Sequence, residues 1–427
     1  MRGRGYAKVA LTAVVLSLAA PAHGQDATDP SRQLNPLLTR PSLLDGQGSP
    51  KEALRKHGIN ADLWWTQFNQ RLLEGDGNTD WQYGGKLDLL LNIDAHKLGL
   101  WRGFSINFHQ EWEYGEDANT QGDGTLLPVN TALGFPRLGG YDHDTSIVFN
   151  QKLSDRLSIG FGKYNMLDAA SRTPLLGGGG INTFMNLGLA APISGVTPPY
   201  IFAGSASLRT KRVNYNLMVY DPNNAQDWSV LGDLFEEGVN TSLSASLPVT
   251  IRGRRGTHSV RGVYSTEEGV DLRDVPQLQL PPELRVAPRT QAEPWYLSYS
   301  FQQYLQHNAD DPSKGWGVFG QFAIASGNPN PFDGHWFLGV GGNSPLPGRS
   351  DDLWGVAYFE YKLDSGLRRA AIQDFGIGLG SESGVEIYYN VAVTPWLRIT
   401  GDLQFINPFP TVNDKAVFGA IRTQFKF

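Results

Sequence analysis

The last twelve residues, Ala416–Phe427, read AVFGAIRTQFKF and alternate in character: Val417, Gly419, Ile421, Thr423, Phe425 and Phe427 fall on one face, with Ala420, Arg422, Gln424 and Lys426 on the other. Successive side chains of a strand point to opposite faces. The segment therefore predicts a strand with an apolar medium on one side and water on the other.

The same period recurs upstream. Leu87, Leu89, Leu91 and Ile93 interleave with Lys86, Asp88, Asn92 and Asp94, and Phe104, Ile106, Phe108 and Trp112 with Ser105, Asn107, His109, Glu111 and Glu113. Val385, Ile387, Tyr389 and Val391 oppose Glu386, Tyr388 and Asn390, while Leu397, Ile399, Leu403 and Phe405 oppose Arg398, Thr400, Asp402 and Gln404. Sixteen strands are expected, beginning near residues 59, 82, 102, 144, 156, 199, 212, 238, 256, 293, 315, 334, 351, 383, 396 and 415. An even count suits a single-chain bacterial barrel, whose short turns lie on the periplasmic side and longer loops outside. Short links occur at HKLGLWRG, LSDR, RTKR, RGRRG and VTPW, and long ones over about 115–143, 168–198, 221–236, 267–292 and 362–382. Links of middling length at 306–314 and 342–350 complete the alternation. The fold class that follows is all-β: a 16-stranded antiparallel transmembrane barrel, with Trp81, Trp101, Trp112, Tyr114, Trp295, Tyr296 and Trp396 expected in its interfacial girdles.

At the amino terminus, Arg2, Arg4 and Lys8 precede an apolar run from Val9 to Ala20 and a small-residue pattern at Ala22–Gly24, the signature of a secretory signal peptide over residues 1–24. The run is too short to span a bilayer as a helix. Residues 25–57 form a polar lead and one short periplasmic helix, with Ser49 as N-cap, Pro50 at the first helical position, Glu52 completing a capping box and Gly58 as terminator. The barrel occupies 58–427.

Composition agrees. The 427 residues carry 36 basic and 42 acidic side chains, and losing Arg2, Arg4 and Lys8 with the leader leaves a net charge of −9, which argues against nucleic acid as a partner. Zero cysteines in an exported chain exclude disulfide stapling. The mean hydropathy of −0.30 fits a barrel with a wet lumen, which needs apolar residues at only alternate positions.

Several segments resemble the carbohydrate-selective porin family, the OprB-type outer-membrane sugar channels. The resemblance covers nearly the whole mature chain: EALRKHGINADLWWTQFNQ, GGKLDLLLNIDAHKLGLWRGFSINFHQEWEYG, GFGKYNMLDAA, GWGVFGQFAIASGNPNP, SPLPGRSDDLWGVAY and INPFPTVNDKAVFGAIRTQFKF, in that order. The terminal Phe427 likewise resembles the signal read by the barrel-assembly machinery. Together these imply a passive diffusion channel in a Gram-negative outer membrane, in contact with its lipid, admitting monosaccharides and small oligosaccharides. The tract GGGGINTFMN, the turn RGRRG and the proline- and charge-rich loop 267–292 depart from the family pattern and leave the solute open. A general or organic-acid-selective porin of the same fold, and an exported β-rich carbohydrate-active enzyme, are the alternatives. A homotrimer is compatible with the sequence, in which no segment marks an intersubunit face.

A channel needs a selectivity filter of lumenal polar groups. Alternation assigns Lys86, Asp88, Asp94, His109, Glu111, Glu113, Glu386, Arg398, Asp402, Arg422 and Lys426 to the inside, with Glu111, Arg398 and Arg422 the leading solute-binding candidates; Lys163 joins them although its local alternation is irregular. Mixed signs favour neutral polar solutes. The third external loop, 168–198, is expected to fold inward and narrow the pore, as in general porins. No catalytic constellation is found: His258 and Ser259 are adjacent and would face opposite ways in a strand. The eight histidines lack paired ligand spacing, so neither a metal nor a cofactor is expected. Gly177–Gly180 reads as a hinge without phosphate-loop chemistry.

Overall fold

The computed structural model describes residues 36–427 except 47, 123, 174, 227, 276–286 and 309–310. The leader expected over 1–24 lies outside the described residues. Pro36–Thr39 is a single helical turn.

The remainder is a closed antiparallel barrel of sixteen strands: β1 (Ile59–Glu74), β2 (Gln82–Asp94), β3 (Phe104–Gly115), β4 (His143–Lys152), β5 (Leu157–Asn165), β6 (Tyr200–Arg209), β7 (Asn214–Tyr220), β8 (Asn240–Ile251), β9 (Arg254–Ser265), β12 (Trp295–His307), β13 (Gly315–Ala325), β14 (Phe332–Asn343), β15 (Leu353–Leu363), β16 (Ser381–Thr394), β17 (Leu397–Asn407) and β18 (Ala416–Lys426). Two short strands, β10 (Glu268–Val270) and β11 (Thr290–Ala292), pair only with each other. Every barrel strand starts within two residues of its expected position. β1 and β18 close the ring in antiparallel register, with Phe68 opposite Arg422 and Trp65 opposite Phe425. Closure leaves no strand edge, which hydrocarbon would not tolerate.

Period two decides which face each side chain occupies. On the carboxy-terminal strands Ile399, Phe405 and Ile421 are 39–50% exposed, whereas Asp402, Gln404 and Arg422 are at most 4% exposed. One girdle expectation is corrected. Trp81, Trp101, Trp112 and Trp295 stand on the outer surface, but Tyr296 is 3% exposed, because it lies one residue on from Trp295 and so on the opposite, inner face, where it stacks on His335. β5 contains the irregularity felt in the sequence: Phe161 is exposed and Lys163 fully buried although they are two residues apart. Gly162, at φ 139°, turns the strand between them.

Connections at one end are short, such as 153–156, 210–213 and 252–253, while those at the other include 116–142, 166–199, 221–239, 266–294 and 364–380. The short-turn end carries the helix Pro50–Lys56, capped by Ser49 Oγ accepting from Glu52 N–H at 3.2 Å. Glu52 reaches back to Gly48 N–H, one residue short of an ideal capping box. Lys51 Nζ fixes this helix to the closure seam, donating to the Phe427 carbonyl at 2.8 Å and to Asp62 at 3.0 Å.

Ile421→Arg places a charge on the hydrocarbon face and is expected to lower barrel stability by about 2–4 kcal/mol if the site is near the bilayer midplane. Urea unfolding in phospholipid vesicles reads this, with Ile421→Val as the control; equal midpoints for the two variants would place Ile421 off the lipid face.

Candidate pore constriction and solute path

The upper lumen is filled by two of the long connections. Glu382 and Glu386 stand four residues apart on the inner face of β16, and each carboxylate accepts two consecutive backbone N–H groups. Glu382 takes Leu126 at 2.7 Å and Leu127 at 3.0 Å, while Glu386 takes Met185 and Asn186, the latter at 3.0 Å. The captured segments also bond to each other, with Thr131 N–H donating to the Met185 carbonyl at 2.8 Å and Leu187 N–H to the Pro128 carbonyl at 2.9 Å. Unpaired backbone is costly away from water, so these partners make the infolding possible.

Apolar packing completes it. Phe184, Leu187 and Leu189 lie against Phe319, Phe337, Phe359, Tyr361 and Tyr388 of the barrel wall, with the Phe184 ring 4.8 Å from that of Tyr388. Arg422 clamps the turn before them: its guanidinium donates to the carbonyls of Gly180 at 2.6 Å and Thr183 at 3.0 Å, and to Thr400 Oγ1 at 3.2 Å. Gly180 holds a φ of 79°, and a Cβ there would sit 3.0 Å from Ala132 N, so the tract expected to be a hinge is a tight turn pressed against the other infolded segment. Gln404 bridges both segments, accepting from Asn186 Nδ2 at 3.1 Å and donating to the Val129 carbonyl at 2.8 Å. Asp402 accepts from Gln404 at 3.2 Å, and Arg398 donates to Asn390 Oδ1 at 3.0 Å, whose amide in turn holds the Asn182 carbonyl.

On the adjoining sector of the wall, from β2 to β6, a second network gathers the other sequence candidates. Lys86 Nζ is hydrogen-bonded to Glu111 and lies 3.7 Å from Asp88 and 4.0 Å from Glu113. His109 bridges Asp88 and Asp168, 3.0 Å from each, so the start of the third external loop is tied to the wall here. Glu111 also accepts from Asn165 at 2.7 Å and Tyr200 at 3.1 Å. Lys163 pairs with Asp144 at 2.5 Å beneath the rings of Tyr200 and Trp228. Asp88, His109 and Glu111 bring possible ligand atoms within 4.8 Å of one another, but the Lys86 ammonium already supplies the positive charge among them.

Space remains on the opposite side. A cavity of about 430 Å³ lies between residues 190–199 of the infolded segment and the inner faces of β8, β9, β12 and β13, where Ser244, Thr257, Ser259, Arg261, Ser298 and Ser300 line it. Ser244 also borders a second cavity of about 510 Å³ toward the short-turn end, walled by Ser105, Asn150, Ser158, Ser207, Asn216 and Ser246. Arg261 is the one charged residue lining the first cavity among the described residues; its Nε donates to Ser242 Oγ at 3.1 Å and its terminal nitrogen to Thr197 Oγ1 at 3.0 Å.

Lys86, Asp88, His109, Glu111, Glu113, Lys163, Glu386, Asp402 and Arg422 are thus buried among wall residues or infolded segments, Arg398 is half-buried, and none of the ten lines either cavity. Sequence reasoning weighed charge and overlooked the small hydroxyls. The signal was present in TSLSASL, where Ser242, Ser244 and Ser246 fall at period two, and in LSYS, with Ser298 and Ser300.

At the sequence level, the model of the family described as "Carbohydrate-selective porin, OprB family" matches residues 78–427. No curated protein matches the chain. Among solved structures, the high-pH structure of Pseudomonas putida OprB is similar with a TM-score of 0.77 at 18% identity, over 91% of this chain and 99% of that one. The low-pH structure of the same protein gives 0.53 at 14% identity, over the same shares. At these identities the structural likeness is one of fold.

Glu386→Ala removes the acceptor of two buried amides, and each amide left unpaired costs about 1–3 kcal/mol. The infolded segment is expected to loosen, raising single-channel conductance and current noise in planar bilayers; a trace indistinguishable from the parent would mean that apolar packing alone holds it.

Proposed function

The chain belongs to the carbohydrate-selective porin family of the OprB type and is a passive carbohydrate channel of the outer membrane, and we propose that its solute moves along the hydroxyl-lined side of the lumen past Arg261. The observation that carries this reading is the 430 Å³ cavity, whose wall combines short hydroxyls, one guanidinium and the aromatic residues Tyr296, Phe319 and Phe337. Serine and threonine hydroxyls both donate and accept, so they can exchange for water around a sugar in any rotation. Each such exchange is worth only about 0.5–1.5 kcal/mol net, which allows release as readily as entry. Two of the five Arg261 donors are engaged by Ser242 and Thr197, leaving others for solute oxygens. The cavity size favours monosaccharides and small oligosaccharides, and the infolded segment 168–198 acts as the constriction. No bond-making step is called for, so the protein is read as a channel and not an enzyme.

The ten charged residues singled out in the sequence are assigned a positioning role: they hold the constriction and act on the solute through it. The same reading takes the barrel-assembly machinery as the partner that recognises the strand ending at Phe427, and cleavage of the leader after export. If barrels associate as homotrimers, the single barrel remains the unit of permeation.

Liposome swelling with glucose and sucrose, combined with sugar block of ion current, tests the path. Glucose is expected to enter faster than sucrose, and Arg261→Ala to raise the half-blocking glucose concentration by roughly tenfold, the equivalent of one charge-assisted hydrogen bond. An unaltered blocking curve would move the path away from Arg261. Deleting 175–190 is expected to increase conductance, and an unchanged value would remove the constriction role.

A further inference from the structure

We propose that the lower vestibule is a station for the anionic group of acidic sugars, so that uronates, aldonates and sugar phosphates pass in preference to amino sugars; this rests on the reading that the hydroxyl-lined side is the solute path. Arg156 and Arg209 both border the 510 Å³ cavity at the short-turn end. They stand side by side across β5 and β6, with Arg209 N–H donating to the Arg156 carbonyl at 2.7 Å. Both are exposed, and among the described residues neither has a carboxylate within 4.0 Å; the carboxylate that lines this cavity, Asp155, is paired at 2.8 Å with Lys152, which lines it too. Like charges at facing positions of adjacent strands repel. With Asp155 taken by Lys152, two arginines at adjacent strand ends are left without a paired carboxylate, a surplus of positive charge that an anion from outside can offset.

The rest of the lumen removes the competing sign. Glu111 and Asp144 are taken by Lys86 and Lys163, and Glu382 and Glu386 by backbone amides. The unpaired charges bordering the two cavities are therefore cationic: Arg261, which donates to the neutral hydroxyls of Ser242 and Thr197, and then Arg209 and Arg156. Guanidinium presents a planar fork that matches a carboxylate or phosphate, while Ser158, Ser207 and Asn216 beside it can take the sugar hydroxyls. A cleft with an excess of one sign, here Lys152, Arg156 and Arg209 against Asp155, concentrates counter-ions locally. Screening over about 8 Å at physiological salt confines the effect to the vestibule.

The experiment uses the full chain in phosphatidylcholine bilayers under a KCl gradient, with liposome swelling in glucose, glucuronate and glucosamine. Chloride is expected to permeate more readily than potassium, and glucuronate to enter faster than glucosamine. Replacing both arginines (Arg156→Ser with Arg209→Ser) is expected to lower the chloride-to-potassium and glucuronate-to-glucose ratios by about threefold, with heat-modifiable gel mobility confirming a folded barrel. A potassium-preferring parent, or ratios unmoved in the double variant, overturns the proposal. So does loss of the anion preference when phosphatidylglycerol is added to the bilayer, because the arginines would then be serving a lipid phosphate. Absence of glucose swelling defeats the sugar-path reading instead, and the ion measurement still decides the anion station.

Discussion

Hydrocarbon offers no hydrogen bonds, so each strand that crosses it must find two neighbours, and the chain satisfies this by bringing β18 back to β1 across some 350 residues of sequence. Once the ring is closed, one set of alternate side chains is committed to lipid and the other to the interior. The seam is reinforced from the short-turn end, where Lys51 ties the short helix to both Phe427 O and Asp62. Everything inside the barrel is arranged within a boundary that this pairing sets.

A ring of this size encloses more space than its own inward side chains occupy, and two external connections take up much of the difference. Their backbone groups lose water on entering, and the wall replaces it with specific partners: the Glu382 and Glu386 carboxylates for amides, and Arg422 and Asn390 for carbonyls. Aromatic side chains on the inner faces of β13–β16 then pack on Phe184 and its neighbours. The polar contacts determine where the segments lie, and burial of apolar surface favours their staying there.

That use of charge leaves the lumen with two chemically different sides. One side is dense with ionic groups, among them Lys86 paired with Glu111 and Lys163 with Asp144. The other side carries serine and threonine, with asparagine toward the short-turn end, among apolar and aromatic residues, and such polar groups exchange readily with water. Arg261 projects from this gentler wall, held in place by hydroxyls and not neutralised by a carboxylate.

Period two in AVFGAIRTQFKF made Ile421 and Arg422 assignable to opposite faces from sequence alone, and repetition of that pattern with short and long links set the strand count and the closed architecture. Such information is local, since a strand's side-chain direction depends only on position along it. The Ser49 helix start was legible for the same reason. Tyr296 was misplaced because an aromatic next to a strand end looks the same whichever way it points, and the adjacent Trp295 drew it into the girdle. What Glu386 and Arg422 touch could not be read, because their partners at Met185, Asn186, Gly180 and Thr183 lie about 200 residues or more away and meet them only after the barrel closes and a loop folds in. Sequence determined the wall and its two faces; tertiary structure alone decided which inward groups are engaged by the infolded segments and which face the cavities, since that choice depends on backbone groups brought together from distant parts of the chain.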